Sequence, residues 1–162
     1  MKKYVFGYGS LMNPRSMQKT LPDKTAKQRV GLIGYQRKFN FAAEGHLFLN
    51  IVPRDGFVVK GVLVSVTNEE LKRLKRREVG YDCVEVSDKV VSLVKGHVFS
   101  FIAPDKNFPN LKILRSYLNT CLGGLPREER TKWIEETIIE SEIEEDMDNP
   151  KYRNADLSSL FD

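Results

Sequence analysis

The chain has 162 residues, of which 41% are hydrophobic and 30% are charged, and its formal net charge at pH 7 is +4. This composition is that of an ordinary globular protein, and the length suits one domain with its own core. No stretch approaches the roughly 18 apolar residues of a membrane span, and no secretory signal is recognisable, so we predict a cytoplasmic protein without a membrane segment.

The positive charge is unevenly distributed along the chain. Residues 133–162 contain 10 acidic and 2 basic side chains, so the basic excess belongs to the part before them. Such an excess is typical either of a nucleic-acid surface or of a solvated basic face. The basic residues are dispersed, apart from Lys72-Arg73 and Lys75-Arg76-Arg77, and no nucleic-acid-binding motif accompanies them. We favour the solvated face and predict no nucleic-acid partner.

The chain holds two cysteines and two histidines, and neither type shows the spacing of metal ligands. The segment Gly7-Tyr8-Gly9 begins like a dinucleotide-binding fingerprint but lacks its third glycine. Ser10 lacks the flanking glycines of a nucleophile elbow, and no histidine is placed to complete a triad. We therefore predict neither a metal site nor a cofactor.

The first part of the chain predicts strands around one short helix. Strands are expected at Tyr4–Phe6, Arg29–Phe41, Leu47–Val52 and Phe57–Val66. The last two are expected to pair across the turn-rich segment Pro53–Gly56. Gly61, inside the last strand, indicates a bulge or a close approach of another backbone. The helix is predicted over Arg15–Leu21, with Asn13-Pro14 as its start.

The second part begins with a sharper signal, because Thr67 and Glu70 have the spacing of a capping box. A helix is predicted from there to about Arg77, with Leu71 and Leu74 buried. Beyond it we predict two strands and two helices, at Val84–Val94, Val98–Ala103, Leu111–Leu122 and from Pro126 onward. Five or six mostly consecutive strands with inserted helices predict the α+β class and a small closed or nearly closed sheet.

Two segments could carry chemistry. Tyr8-Gly9-Ser10-Leu11 leaves a buried strand, and its amide N–H groups could converge on a carbonyl oxygen or a carboxylate. A purely structural turn would have the same residues. Glu78 follows the basic helix and precedes Val79-Gly80-Tyr81, and apolar neighbours could raise its pKa toward that of a general base. Solvent exposure or pairing with an arginine is the alternative for this carboxylate.

Several segments, in order along the chain, together resemble the γ-glutamylcyclotransferase-like family. The two specific ones are Val5–Leu11, which looks like its opening glycine loop, and Arg77–Asp82, which is similar to its catalytic segment. The supporting ones are Ile51–Pro53, Val59–Val66, Ser116–Leu118 and Gly123–Pro126. The resemblance implies a small mixed β-barrel of five to six strands with flanking helices. We expect one domain over residues 1–145, followed by an acidic tail over 146–162.

The resemblance also implies an activity, namely cyclisation of a γ-glutamyl compound to 5-oxoproline with release of the attached amine or peptide. Glu78 takes the role of the catalytic acid/base by its position in the matching segment. The residues implied to bind the substrate are Tyr8, Gly9, Ser10, Leu11, Tyr81 and Tyr117. No cofactor or metal is implied. Glutathione, γ-glutamyl dipeptides and γ-glutamylamines all remain open as substrates, and a non-catalytic module that binds γ-glutamyl or 5-oxoproline groups is the alternative function.

Overall fold

A computed structural model describes residues 1–24 and 28–146, and the strands within these residues form one eight-stranded sheet. The strands are β1 (Lys3–Gly7), β2 (Gln28–Ala43), β3 (His46–Val66), β4 (Asp82–Glu85), β5 (Val90–Val91), β6 (His97–Ile102), β7 (Lys112–Leu114) and β8 (Ile143–Glu144). The helices are α1 (Pro14–Gln18), α2 (Asn68–Arg77), α3 (Arg115–Leu122) and α4 (Arg130–Glu135). Short 3-10 helices span Ser10–Met12, Ser87–Lys89 and Arg127–Glu129.

The sheet is mixed and open. Its strands follow the order β4-β6-β1-β3-β2-β5, with β7 beside β3 and β8 beside β7. β1 runs antiparallel to β3 and parallel to β6. The α+β class is therefore confirmed. The sheet has eight strands where five or six were expected, and it is not closed, because the edge strands β4 and β5 do not pair with each other among the described residues. The two-residue β5 pairs with Gly31 and Leu32 of β2.

The longest ladder joins β2 to β3, and it corrects one prediction. Leu47–Val52 and Phe57–Val66 do not pair with each other; they are the two ends of β3 and both pair with β2. The hairpin turn lies instead at Glu44-Gly45, where both residues have positive φ, 51° and 78°, as two-residue hairpin turns require. The pair Glu-Gly is a weak turn signal in the sequence, whereas Pro53–Gly56 contains stronger turn-forming residues.

The segment expected to form the turn lies within β3, and residues 54–57 form a bulge there rather than a hairpin turn. The register passes from Ile33 opposite Val58 to Tyr35 opposite Pro53, so four residues of β3 face only Gly34 of β2. Such an insertion bends the strand and accommodates a proline, which cannot donate to the ladder.

Gly61 of β3 lies where another backbone approaches closely, as predicted. A Cβ atom on this residue would lie 2.4 Å from the carbonyl oxygen of Gly7 and 2.5 Å from Cζ of Phe6. Both neighbours belong to β1, which pairs with β3 along its whole length. The missing side chain therefore lets β1 end in direct contact with β3, and this contact places the segment that follows β1.

The capping box of α2 is present as predicted. The Thr67 hydroxyl accepts a hydrogen bond from the Glu70 amide, and the Glu70 carboxylate accepts one from the Thr67 amide, each at 3.1 Å. Leu71 and Leu74 are buried, and the helix ends at Arg77. Since this cap sets where the helix begins and its buried face sets its rotation, residue 78 is delivered to a defined place.

The C-terminal part departs more from prediction. The expected helix over Leu111–Leu122 begins only at Arg115, because Lys112–Leu114 forms β7 between β3 and β8. Strand β4 ends at Glu85 instead of continuing to Val94. Of the expected acidic tail over 146–162, residues 147–162 lie outside the described residues. None of the helices in the described part has both the length and the hydropathy needed to cross a membrane.

Candidate active site

The first component of the site is the segment Tyr8–Leu11, where β1 ends and a 3-10 helix begins. The Tyr8 hydroxyl donates a 2.5 Å hydrogen bond to the carbonyl oxygen of Phe101 in the neighbouring strand β6. Tyr8 is only 8% exposed, and burial, followed by the nearby Glu78 carboxylate, raises its pKa well above the ordinary value. Tyr8 therefore stays protonated at neutral pH and anchors the segment to the sheet.

The backbone of this segment leaves donors available. The carbonyl groups of Gly9 and Ser10 accept hydrogen bonds from the amides of Met12 and Asn13, at 2.9 and 3.0 Å. Within the described part of the chain, the amides of Gly9, Ser10 and Leu11 donate to no protein acceptor. Consecutive amides of this kind form a concave donor site for a carbonyl oxygen or an anion.

The second component is Glu78, at the C-terminus of α2. Its amide donates to the carbonyl oxygen of Leu74 at 2.9 Å, and its own carbonyl accepts from the Tyr81 amide at 3.1 Å. The side chain is 17% exposed. Burial raises the pKa of the carboxyl group, and the adjacent Arg77 guanidinium opposes that increase. A raised pKa makes a carboxylate a better proton acceptor at neutral pH.

Arg77 connects the two components. Its Nε atom lies 3.3 Å from a Glu78 carboxylate oxygen. One terminal nitrogen donates to the Ser16 carbonyl at 2.8 Å and to the Thr20 hydroxyl at 3.3 Å. The other donates to the hydroxyls of Ser10 at 3.2 Å and Ser16 at 2.8 Å. This side chain thus joins α1, α2 and the segment after β1, and sequence reasoning treated it only as part of a basic helix.

Tyr81 and Tyr117 meet on one residue of β3. The Tyr81 hydroxyl donates to the Leu49 carbonyl at 2.6 Å, and the Leu49 amide donates to the Tyr117 hydroxyl at 3.3 Å. Tyr81 also stacks on Phe41, with 3.9 Å between the ring centroids. The two tyrosines are 36 positions apart in the sequence, and only the tertiary structure shows that they share a partner.

Gly80 makes the turn between Glu78 and Tyr81 possible. Its φ is +94°, a value that residues with a side chain rarely adopt, and a Cβ atom would lie 2.7 Å from Cζ of Phe41. A glycine is therefore required here both for the backbone conformation and for the packing of the aromatic ring. The turn brings Tyr81 back toward Leu49 while leaving Glu78 at the mouth of the site.

The structure brings all seven predicted site residues together around a narrow recess. The recess, of about 30 Å³, is lined by the segment after β1, by Glu78 and by both tyrosines, that is by Tyr8, Gly9, Ser10, Leu11, Glu78, Tyr81 and Tyr117. It adjoins a wider cavity of about 560 Å³, which shares Ser10, Glu78, Tyr81 and Tyr117 with it. Within residues 1–24 and 28–146, no three His, Cys, Asp or Glu side chains are arranged to hold a metal ion.

Comparisons with known proteins indicate a family and a fold. Residues 5–113 match the family described as gamma-glutamyl cyclotransferase, AIG2-like. No curated protein sequence matches the chain significantly. Among solved structures, YkqA from Bacillus subtilis is similar with a TM-score of 0.67 and 24% identity over 83% of this chain, and the match spans 53% of YkqA.

Two further structures match over nearly their whole length. One is a gamma-glutamyl cyclotransferase, with a TM-score of 0.69 and 17% identity over 91% of this chain and 95% of that protein. The other is an uncharacterised protein from Homo sapiens, with a TM-score of 0.67 and 17% identity over the same shares of the two chains. At these identities the structural likeness shows the fold.

Proposed function

The chain belongs to the gamma-glutamyl cyclotransferase, AIG2-like family, and we propose that it is an enzyme that converts a γ-glutamyl compound to 5-oxoproline and a free amine or peptide. The observation that supports this most directly is the recess, where the partly buried Glu78 carboxylate shares one small space with the segment Gly9–Leu11 and its amides. A proton acceptor and a set of oxyanion donors are the two groups that such a cyclisation requires.

The substrate supplies its own nucleophile. Its α-amine attacks the γ-carbonyl carbon to which it is already tethered. Holding the chain in a ring-closing conformation therefore brings the two reacting atoms together, and no nucleophile from the enzyme is needed. The cavity beside the recess is large enough to hold the remainder of the substrate. Tyr81 and Tyr117, each held by the Leu49 backbone, would form the rigid walls that restrict the γ-glutamyl chain.

Glu78 handles the proton. The carboxylate accepts a proton from the attacking amine as the new N–C bond forms, and it returns a proton to the leaving nitrogen as the original C–N bond breaks. The raised pKa of this carboxyl group suits both steps, since a carboxylate with a higher proton affinity is a better proton acceptor. The carbonyl oxygen carries the negative charge of the tetrahedral intermediate, and the amides of Gly9, Ser10 and Leu11 would stabilise it.

The test is 5-oxoproline release, measured by mass spectrometry, from glutathione, several γ-glutamyl dipeptides and γ-glutamyl-lysine. We expect release from at least one class, and a loss of about 100-fold or more in Glu78→Gln, because an amide keeps the shape but cannot accept the proton. Glu69→Gln, an exposed change on the same helix, is the matched control and should keep full activity.

Undiminished turnover by folded Glu78→Gln would contradict the assignment of Glu78. The alternative of a non-catalytic binding module predicts a different result, namely measurable affinity for a γ-glutamyl compound or 5-oxoproline without release of product. Calorimetry with the same compounds therefore separates the two functions.

A further inference from the structure

The wider cavity has two walls of different chemistry, and neither is required by the reaction at the recess. One wall is formed by α1 and the residue that follows it, and it carries Arg15 and Lys19, which are exposed. The other is apolar and contains Phe41, Phe48 and Val79. The cavity shares Ser10, Glu78, Tyr81 and Tyr117 with the recess, so a leaving group can extend into it when the reacting carbonyl occupies the recess.

The apolar wall is rigid and open to solvent. Phe41 stacks on Tyr81, and Phe48 meets the Tyr117 ring edge-on with 4.8 Å between centroids. Val79 is 76% exposed although it directly follows Glu78. An exposed valine beside two half-buried aromatic rings presents apolar surface that a ligand side chain can cover, and covering it is favourable because water is removed from both partners.

The charges of the cavity favour an anion. Outside the Arg77–Glu78 pair, the charged side chains that line it in the described residues are Arg15, Lys19 and Glu44. Two basic groups therefore share the cavity with one acidic group at the hairpin turn, and the balance of charge is positive. A carboxylate bound near the two basic groups gains from this positive balance.

We propose that this cavity is the subsite for the leaving amine, and that the preferred leaving amine is an α-amino acid with a large apolar side chain. Its carboxylate faces Arg15 and Lys19, and its side chain packs on Phe41, Phe48 and Val79. This inference rests on the proposed function and narrows it to the γ-glutamyl derivatives of apolar amino acids. A cavity of about 560 Å³ accommodates a group of this size.

Three substrates separate the two walls. γ-Glutamyl-phenylalanine carries both features, γ-glutamyl-glycine lacks the apolar side chain, and γ-glutamyl-phenethylamide lacks the carboxylate. We expect kcat/KM for 5-oxoproline release to be at least about tenfold higher for γ-glutamyl-phenylalanine than for either of the other two. One apolar group or one ion pair is enough for a difference of this size between two substrates. Equal kcat/KM values for all three substrates, or a higher kcat/KM for γ-glutamyl-phenethylamide than for γ-glutamyl-phenylalanine, would overturn the proposal.

Variants assign each preference to its wall. Arg15→Ala combined with Lys19→Ala should raise KM for γ-glutamyl-phenylalanine about tenfold and leave γ-glutamyl-phenethylamide unchanged. Val79→Ser should raise KM for the two aromatic substrates and leave KM for γ-glutamyl-glycine unchanged. Lys72→Ala, an exposed lysine of α2 paired with Glu69, is the control for loss of positive charge. An equal effect of the double variant on all three substrates contradicts the carboxylate contact.

Binding to Glu78→Gln distinguishes failure of the subsite from failure of the proposed reaction. If wild-type protein releases no 5-oxoproline from these three compounds, from glutathione or from γ-glutamyl-lysine, the proposed function is wrong, whereas calorimetry still measures the dissociation constants of the intact compounds. Tighter binding of γ-glutamyl-phenylalanine than of the other two supports the subsite in that case. Equal affinities, or no binding of any of them by folded protein, would overturn it.

Discussion

At the scale of single residues, Glu78 is subject to two opposing influences. Burial in the recess disfavours its charged form, and this effect exceeds the stabilisation from the Arg77 guanidinium, so its pKa is raised. A carboxylate that would ionise more easily in the unfolded chain reduces the stability of the fold near neutral pH. Residues adapted to catalysis commonly have such a cost, because the environment that makes them reactive also makes them unfavourable.

This opposition predicts a dependence of stability on pH. The pKa of Glu78 in the folded state lies above the unfolded value of about 4.3. The folded state therefore loses stability as pH rises from the unfolded pKa through the folded pKa. Glu78→Gln has no charge to bury, so its melting temperature should exceed that of wild type at pH 7. The difference should disappear below about pH 4. Differential scanning calorimetry across this range measures it, and a lower melting temperature of the variant at pH 7 would contradict the raised pKa.

At the scale of elements, Arg77 supports the site by joining parts that are distant in the sequence. The guanidinium uses its planar set of donors to reach α1, the Tyr8–Leu11 segment and the Glu78 carboxylate at once. Several side chains that carry charge or can titrate line the recess or the wider cavity together with Glu78, namely Arg77, Tyr8, Tyr81, Tyr117, Arg15, Lys19 and Glu44.

Removal of Arg77 should change the pH profile as well as the rate. Arg77→Met eliminates the positive charge that lowers the pKa of Glu78, so the acid limb of kcat/KM should move to higher pH. The variant should accordingly lose more activity at pH 6 than at pH 8. Arg73→Met, an exposed arginine of the same helix, is the control. A uniform loss at every pH would assign Arg77 a purely structural role.

At the scale of the whole molecule, Arg37 of β2 holds the C-terminal segment that contains Trp133, Glu136 and Thr137. This arginine is 2% exposed. Its Nε donates to the Thr137 hydroxyl at 2.9 Å, and a terminal nitrogen donates to the Trp133 carbonyl at 3.3 Å and lies 3.5 Å from a Glu136 oxygen. Burial lowers its pKa to about 10, so it remains charged at neutral pH. The residues it holds follow the part that matches the family, which ends at position 113.

Arg37→Met should destabilise the protein by about 2–4 kcal/mol, because it leaves the buried Trp133 carbonyl and Thr137 hydroxyl without this donor. The measurement is the free energy of unfolding in urea. Lys60→Met, an exposed change on β3, should remain within about 0.5 kcal/mol of wild type. A similarly small effect for Arg37→Met would show that the C-terminal segment is held by its apolar contacts alone.

Local signals in the sequence determined the features that depend on a few neighbouring residues. The capping box of α2, its end at Arg77 and the close approach at Gly61 are of this kind, since propensity, spacing and the absence of a side chain act over one or two turns. The order of the strands in the sheet, the open edges and the hairpin turn at Glu44-Gly45 depend on which segments pair, and several pairings satisfy the same alternation of residues.

The site divides in the same way. Motif resemblance proposed Glu78 and the Tyr8–Leu11 segment, because both follow directly on an element whose end is visible in the sequence. Only the tertiary structure joined them through Arg77, placed the hydroxyls of Tyr81 and Tyr117 on the Leu49 backbone, and brought Arg15, Lys19 and the apolar residues into one cavity. Those contacts join residues up to 68 positions apart, and such distances are fixed by packing of the whole chain rather than by any local preference.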